Sequence, residues 1–132
     1  LEADVVINNQ VTLVDKQCYA GIDFFPGTFS NYVPDAERES PIDMDHVFMA
    51  VDEVTLELPA NAKPVSLPSK FESSFKGNQM EASYTASGNK IILNKKMQLN
   101  SPVVFTADFA DWKAYLNKIK EFNRTNITIQ LP

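Results

Sequence analysis

A Ser- or Cys-based nucleophile needs a base beside it, and this chain offers a single imidazole, His46, and a single cysteine, Cys18. A Cys-His hydrolase or acyltransferase needs a thiolate held against the base, stabilised at a helix N-terminus or beside a cation, with backbone donors for the oxyanion. Cys18 instead stands in Thr12-Leu13-Val14-Asp15-Lys16-Gln17-Cys18-Tyr19, a strand-like run with no Gly-rich element beside it. The pattern predicts a buried cysteine acting as a small hydrophobe, and a His46 that is structural or solvent-facing. An enzyme centred on His46 would require an acid, a nucleophile and that imidazole to converge in one cleft.

Other reactive constellations are weaker. Asp35, Glu37, Glu39, Asp43 and Asp45 resemble calcium ligands in their density, but Pro41 interrupts them and no Gly stands at a loop bend. A solvated acidic loop is the expectation, with no metal. Any two of the seventeen acids could pair as glycosidase carboxylates, a signal without specificity. Neither GxxxxGK[ST] nor GxGxxG occurs, so no nucleotide cofactor is implied and no cofactor of any kind is expected. Asn123-Arg124-Thr125 and Asn126-Ile127-Thr128 match the glycosylation sequon, which matters only in a eukaryotic secretory setting.

Charge narrows the partners. The formal net charge is -5, with acids dense between Asp35 and Glu57 and bases between Lys90 and Arg124. Such a surface repels phosphate backbones, which argues against nucleic acid. No apolar run approaches the length of a membrane span, and no signal peptide is visible. One cysteine allows no internal disulfide, so the compartment is not readable from redox chemistry. With 132 residues, 44% of them hydrophobic, the chain suffices for one domain, residues 1–132, with a core of its own. It starts at Leu1 rather than Met, which reads as a fragment of a larger protein.

The elements that must position these side chains are mostly strands. Val11 to Tyr19 reads as one strand, preceded by a short one at Val5 to Ile7 with Asn8-Asn9 as turn. Asp45 to Leu58 carries Val47, Met49 and Val51, then Val54, Leu56 and Leu58, two alternating runs whose phase slips at Asp52-Glu53, as a bulge or break would produce. Val65 to Leu67 is extended between two prolines. Ser87-Gly88-Asn89 turns Met80 to Ala86 into Lys90 to Leu99, where Ile91, Leu93, Met97 and Leu99 share a face with one exception, Lys95. Thr106 is placed to N-cap a helix through Phe122 with Phe109, Trp112, Leu116, Ile119 and Phe122 as its apolar stripe and Tyr115 at the edge. Ile127, Ile129 and Leu131 form a last strand. The fold class is therefore mainly β: an antiparallel, Ig-like β-sandwich of seven or eight strands, with one C-terminal amphipathic helix docked on a sheet and followed by a final strand.

Between Gly21 and Pro41 the pattern changes. Phe24, Phe25, Phe29 and Tyr32 crowd between Pro26, Gly27 and Pro34, an irregular aromatic loop whose rings either cover the sheet or form an exposed patch for a neighbouring domain or ligand. These four residues are the candidate binding site.

From about Glu37 to Leu131 the chain resembles the β-rich domain of unknown function that follows the transglutaminase-like core in exported proteins, chiefly of Bacteroidetes. The features are Arg38-Glu39-Ser40-Pro41, Leu58-Pro59, Leu67-Pro68 before Phe71 to Phe75, Lys90-Ile91-Ile92-Leu93 after Gly88, Phe109-x-x-Trp112-x-x-Tyr115-Leu116-x-x-Ile119, and Thr128-Ile129-Gln130-Leu131. The resemblance implies a non-catalytic accessory domain of a transglutaminase- or protease-like protein, exported to the periplasm or cell surface, partnered by the adjacent transglutaminase-like domain. It carries no active-site residue onto this chain. The alternative expectation is a carbohydrate-binding or adhesion module that uses the aromatic loop on a protein or glycan ligand.

Overall fold

A computed structural model describes residues 10–27, 29 and 38–132. The expected strand at Val5 to Ile7 and its Asn8-Asn9 turn lie outside the described residues. Three antiparallel sheets organise the rest. Sheet A has the order β1-β2-β10-β5, from Val11–Val14, Gln17–Ala20, Ile127–Gln130 and Lys63–Ser66. Sheet C has the order β4-β8-β7-β6, from Phe48–Glu57, Lys90–Leu99, Asn78–Ser87 and Phe71–Phe75. Sheet B is a small ribbon that pairs β3, Ile42–Asp43, with β9, Val103–Val104. The described residues thus hold ten strands, more than the seven or eight expected, because short pieces pair that periodicity alone does not reveal.

The first difference lies at the N-terminal side. Val11 to Tyr19 is not one strand but a hairpin, with Val14 opposite Gln17. Asp15 takes the left-handed conformation at φ 54°, which Asp tolerates better than a branched residue, so two residues suffice to reverse the chain. The second lies in β4. Its pairing with β8 runs without a break from Phe48 opposite Leu99 to Glu57 opposite Lys90, so there is no bulge at Asp52-Glu53. The hydrophobic phase slips because Met49 and Val51 face outward, 62% and 67% exposed, while Asp52 faces inward with Ala50 and Val54.

The β7–β8 hairpin forms as the turn signal predicts, Ser87 opposite Lys90 across Gly88, whose φ is +59°. Pro64 is tolerated in β5 because that strand is an edge. At the helix, Thr106 does not cap with its side chain. Thr106–Asp108 makes a 3-10 turn, and the Phe109 N–H donates to the Thr106 carbonyl before α1, Phe109–Asn123, begins. Backbone bonds of the tighter turn thus occupy groups that a cap would have satisfied.

Helix α1 buries Trp112, Tyr115, Leu116, Ile119 and Phe122. Trp112 meets Phe29 edge-on at 5.3 Å and Phe75 at the same separation, and Phe122 stacks on Phe71 at 4.8 Å. These contacts seat the helix on the β6 side of sheet C, and Tyr115 belongs to the core rather than to its edge. Fully buried Asn78 ties the start of β7 to the end of β8. Its Oδ1 accepts the N–H groups of Asn100 and Ser101 at 2.9 and 2.7 Å, and its Nδ2 donates to the Ser101 carbonyl at 2.9 Å.

Candidate interaction surface

Cys18 and His46 are not brought together in one groove. Cys18, on β2, is 7% exposed and lies among aliphatic side chains, where burial pushes its thiol pKa up. An uncharged thiol is a poor nucleophile. His46 is exposed, its ring 6.2 Å from that of Phe48. Of the acidic run, Asp35 and Glu37 lie outside the described residues. Asp43 spends an oxygen on the Asp45 N–H at 2.9 Å, and no cluster of three metal-binding side chains occurs among the described residues.

The exception on the inward face of β8 has a specific partner. Lys95 Nζ lies 2.6 Å from Asp23 Oδ1 and 3.7 Å from Asp52 Oδ2, with the Lys95 and Asp23 side chains only 4% and 5% exposed. It also donates to the Phe25 carbonyl. A buried cation must be paired and hydrogen-bonded to be tolerated, so this cluster moors the aromatic loop to sheet C. Asn123 Nδ2 adds a tie from α1 to the Pro26 carbonyl at 3.1 Å. Lys95 stood out in the alternation, whereas nothing in the sequence singled out Asp23, 72 residues away.

The moored loop divides the four aromatic candidates. Phe29 is in the core against Trp112. Phe24 and Phe25 are 41% and 60% exposed. Tyr32 lies outside the described residues.

Phe24 borders the feature that periodicity missed, an apolar groove with a cavity volume of about 190 Å³ at the open side between the two sheets. Sheet A supplies Cys18, Ala20 and Ile129, sheet C supplies Leu56, and Gln10 and Val11 form part of the rim. Beyond it the inner face of sheet A continues onto β1, where Val11 and Leu13 are 52% and 62% exposed. Together these residues make an apolar lip continuous with the groove. It escaped sequence reading because an alternating strand does not say whether anything covers its inward face.

Fold and surface together define an antiparallel β domain of two four-stranded sheets and a two-stranded ribbon, with one docked helix and one open apolar side. The chain belongs to the family of a domain of unknown function, DUF3858, whose model matches residues 21–129. In structure it is similar to a crystal structure described as that of a "putative protease" from Parabacteroides distasonis, with a TM-score of 0.71 at 12% identity. That likeness covers 89% of this chain and 24% of the other, so the chain spans about a quarter of that protein's length, and the likeness is one of fold. No curated protein matches the chain. No helix among the described residues is long and apolar enough to cross a membrane.

Proposed function

We propose that this chain is a non-catalytic accessory domain of an exported protease- or transglutaminase-like protein, held by its apolar lip and groove against a neighbouring domain of the same polypeptide. The observation that carries this reading is the open groove with Val11, Leu13 and Phe24 at its border. Large aliphatic and aromatic side chains left in water around a concave site mark a surface meant to be covered. The Parabacteroides distasonis protein, four times as long as the matched part, supports a setting with further domains. Cys18, buried among hydrophobes and away from an imidazole, supports the non-catalytic part.

The direct test is to assay the 132-residue chain for peptide hydrolysis and for acyl transfer to an amine. Neither is expected above background. Appreciable turnover that disappears in Cys18→Ala would overturn the reading.

A second reading rests on Phe24 and Phe25, whose exposed rings suit stacking on sugar faces. It requires binding to polysaccharide that Phe25→Ala abolishes, whereas the accessory reading leaves polysaccharide unbound.

A further inference from the structure

We propose that Lys95 and Asp23 join covalently: in the folded domain the Lys95 amine and the Asp23 carboxyl condense to an isopeptide amide with loss of water, and Asp52 carries the proton. This goes beyond the accessory reading and stands or falls without it.

The three side chains meet at one point from three parts of the chain. Lys95 is on β8, a central strand of sheet C, and Asp52 stands directly across from it on β4. Asp23 comes from the loop after β2, 72 residues earlier. Lys95 Nζ lies 2.6 Å from Asp23 Oδ1 and 3.7 Å from Asp52 Oδ2. The carboxyl carbon is one bond beyond Oδ1, which brings amine and carbon close to the separation of about 3–3.5 Å from which attack proceeds.

Among the described ion pairs, Lys95–Asp23 alone is buried on both sides. In Lys70–Glu72, Lys76–Asp108 and Lys90–Glu57 the lysine is 48% exposed or more, against 4% for Lys95. Attraction between two buried charges offsets their lost hydration only when the remaining lone pairs and protons also find partners. Here that condition fails, because Asp23 Oδ2 is buried with no hydrogen-bond partner among the described residues. Ion pairing alone leaves the arrangement unexplained. Condensation accounts for it: both charges vanish from the interior, the unpartnered oxygen departs without breaking a hydrogen bond, and the N–H that remains keeps the Phe25 carbonyl as its acceptor.

The atoms balance. One ammonium proton passes to the Asp23 carboxylate, cancelling both charges and freeing the nitrogen lone pair. The amine then attacks the carboxyl carbon and the C–N bond forms. Asp52 takes a second proton from the nitrogen and hands it to the departing hydroxyl as the C–O bond breaks. The three protons of the ammonium thus end as one amide N–H and two in the water released, and Asp52 is returned unchanged. Pro26, Phe48, Met80 and Met97 wall a cavity of about 50 Å³ beside Asp52 and Lys95, large enough to receive that water molecule. The product fastens the loop, and with it Phe24 at the groove's border, to sheet C by a bond that unfolding does not release.

Intact mass, measured under denaturing conditions after the chain has folded, tests this. The chain should be lighter than its sequence by one water, and a tryptic digest should contain one branched peptide joining the segments that hold Asp23 and Lys95. Lys95→Arg should have its full mass. Asp52→Asn, which keeps the ion pair but removes the proton carrier, should form the bond at least about a hundredfold more slowly. That variant is therefore the background against which substitutions at Lys95 and Asp23 report charge alone. Full mass in the folded, unsubstituted chain overturns the proposal, as does a loss of water without the branched peptide. A bond that forms equally fast in Asp52→Asn overturns the part assigned to Asp52. None of these outcomes bears on the accessory reading, which has its own assay.

Discussion

The helix side of this domain and its β1 side use similar aliphatic and aromatic residues to opposite ends. Around α1, Trp112 touches Phe29, Phe75 and Tyr115, and Phe122 touches Phe71 and Tyr84, so each large ring has rings for neighbours. At β1 the same class of side chain lines a groove with no described partner above it. Removing a group from the closed side should leave a hole inside the molecule, while removing one from the open side should change only what the molecule can hold. The difference teaches that hydrophobicity sets a residue's preference for burial, and that topology decides whether this chain alone can satisfy it.

The sharpest break of that comparison is Trp112→Ala, which should cost about 3–5 kcal/mol in denaturant unfolding, since the surrounding rings cannot collapse fully into the space. A loss under 1 kcal/mol would mean the closed side is not closed. Lys95→Met should cost a similar 3–5 kcal/mol by leaving the Asp23 carboxylate buried without its cation. Adding Asp23→Asn should restore most of that loss; no recovery would show that packing, not charge, is what matters there.

Alkali probes the same side through its tyrosines. Burial holds the Tyr115 hydroxyl protonated and pushes its pKa up to about 12, and burial also raises that of Tyr84. The unfolded chain releases these protons near pH 10, before the folded one does, so their contribution is fully present below about pH 10 and is lost as pH climbs toward 12. Tm measured against pH should fall across that window, with phenolate absorbance rising in step with unfolding. Asn78→Ala is expected to cost about 1–3 kcal/mol, because the Asn100 and Ser101 N–H groups lose their acceptor.

On the open side, Leu13→Ser should change the stability of the 132-residue chain by no more than about 0.5 kcal/mol. Thermal unfolding checks it, and a loss as large as that of Trp112→Ala would mean the lip is already packed.

How much was legible follows this division. The helix stripe, the β7–β8 hairpin and the inward face of β8 were readable because each repeats a period several times, and the hairpin turns at a definite Gly signal; the Thr106 cap was not, since a 3-10 turn takes its place. The hairpin at Asp15-Lys16 was not, since Asp-Lys is an undistinguished turn and the residues on either side keep a strand-like composition. The supposed bulge in β4 came from reading Asp52 as an outward residue; its inward direction depends on Lys95 of the neighbouring strand, a pairing that exists only once the sheet is formed. Of the four aromatic candidates, Phe29 went to the core and Phe24 and Phe25 to the surface, a split set by where Asp23 moors the loop rather than by ring type. The groove itself was illegible for a plainer reason: periodicity marks the inward face of a strand but not whether a second layer covers it.

Cys18 gives this arrangement a practical property. The chain's single thiol lines the groove, so the domain carries its own gauge of occupancy. The pace at which an alkylating reagent marks that atom will distinguish a vacant slot from a plugged one, with no probe grafted on and no second thiol to confuse the signal.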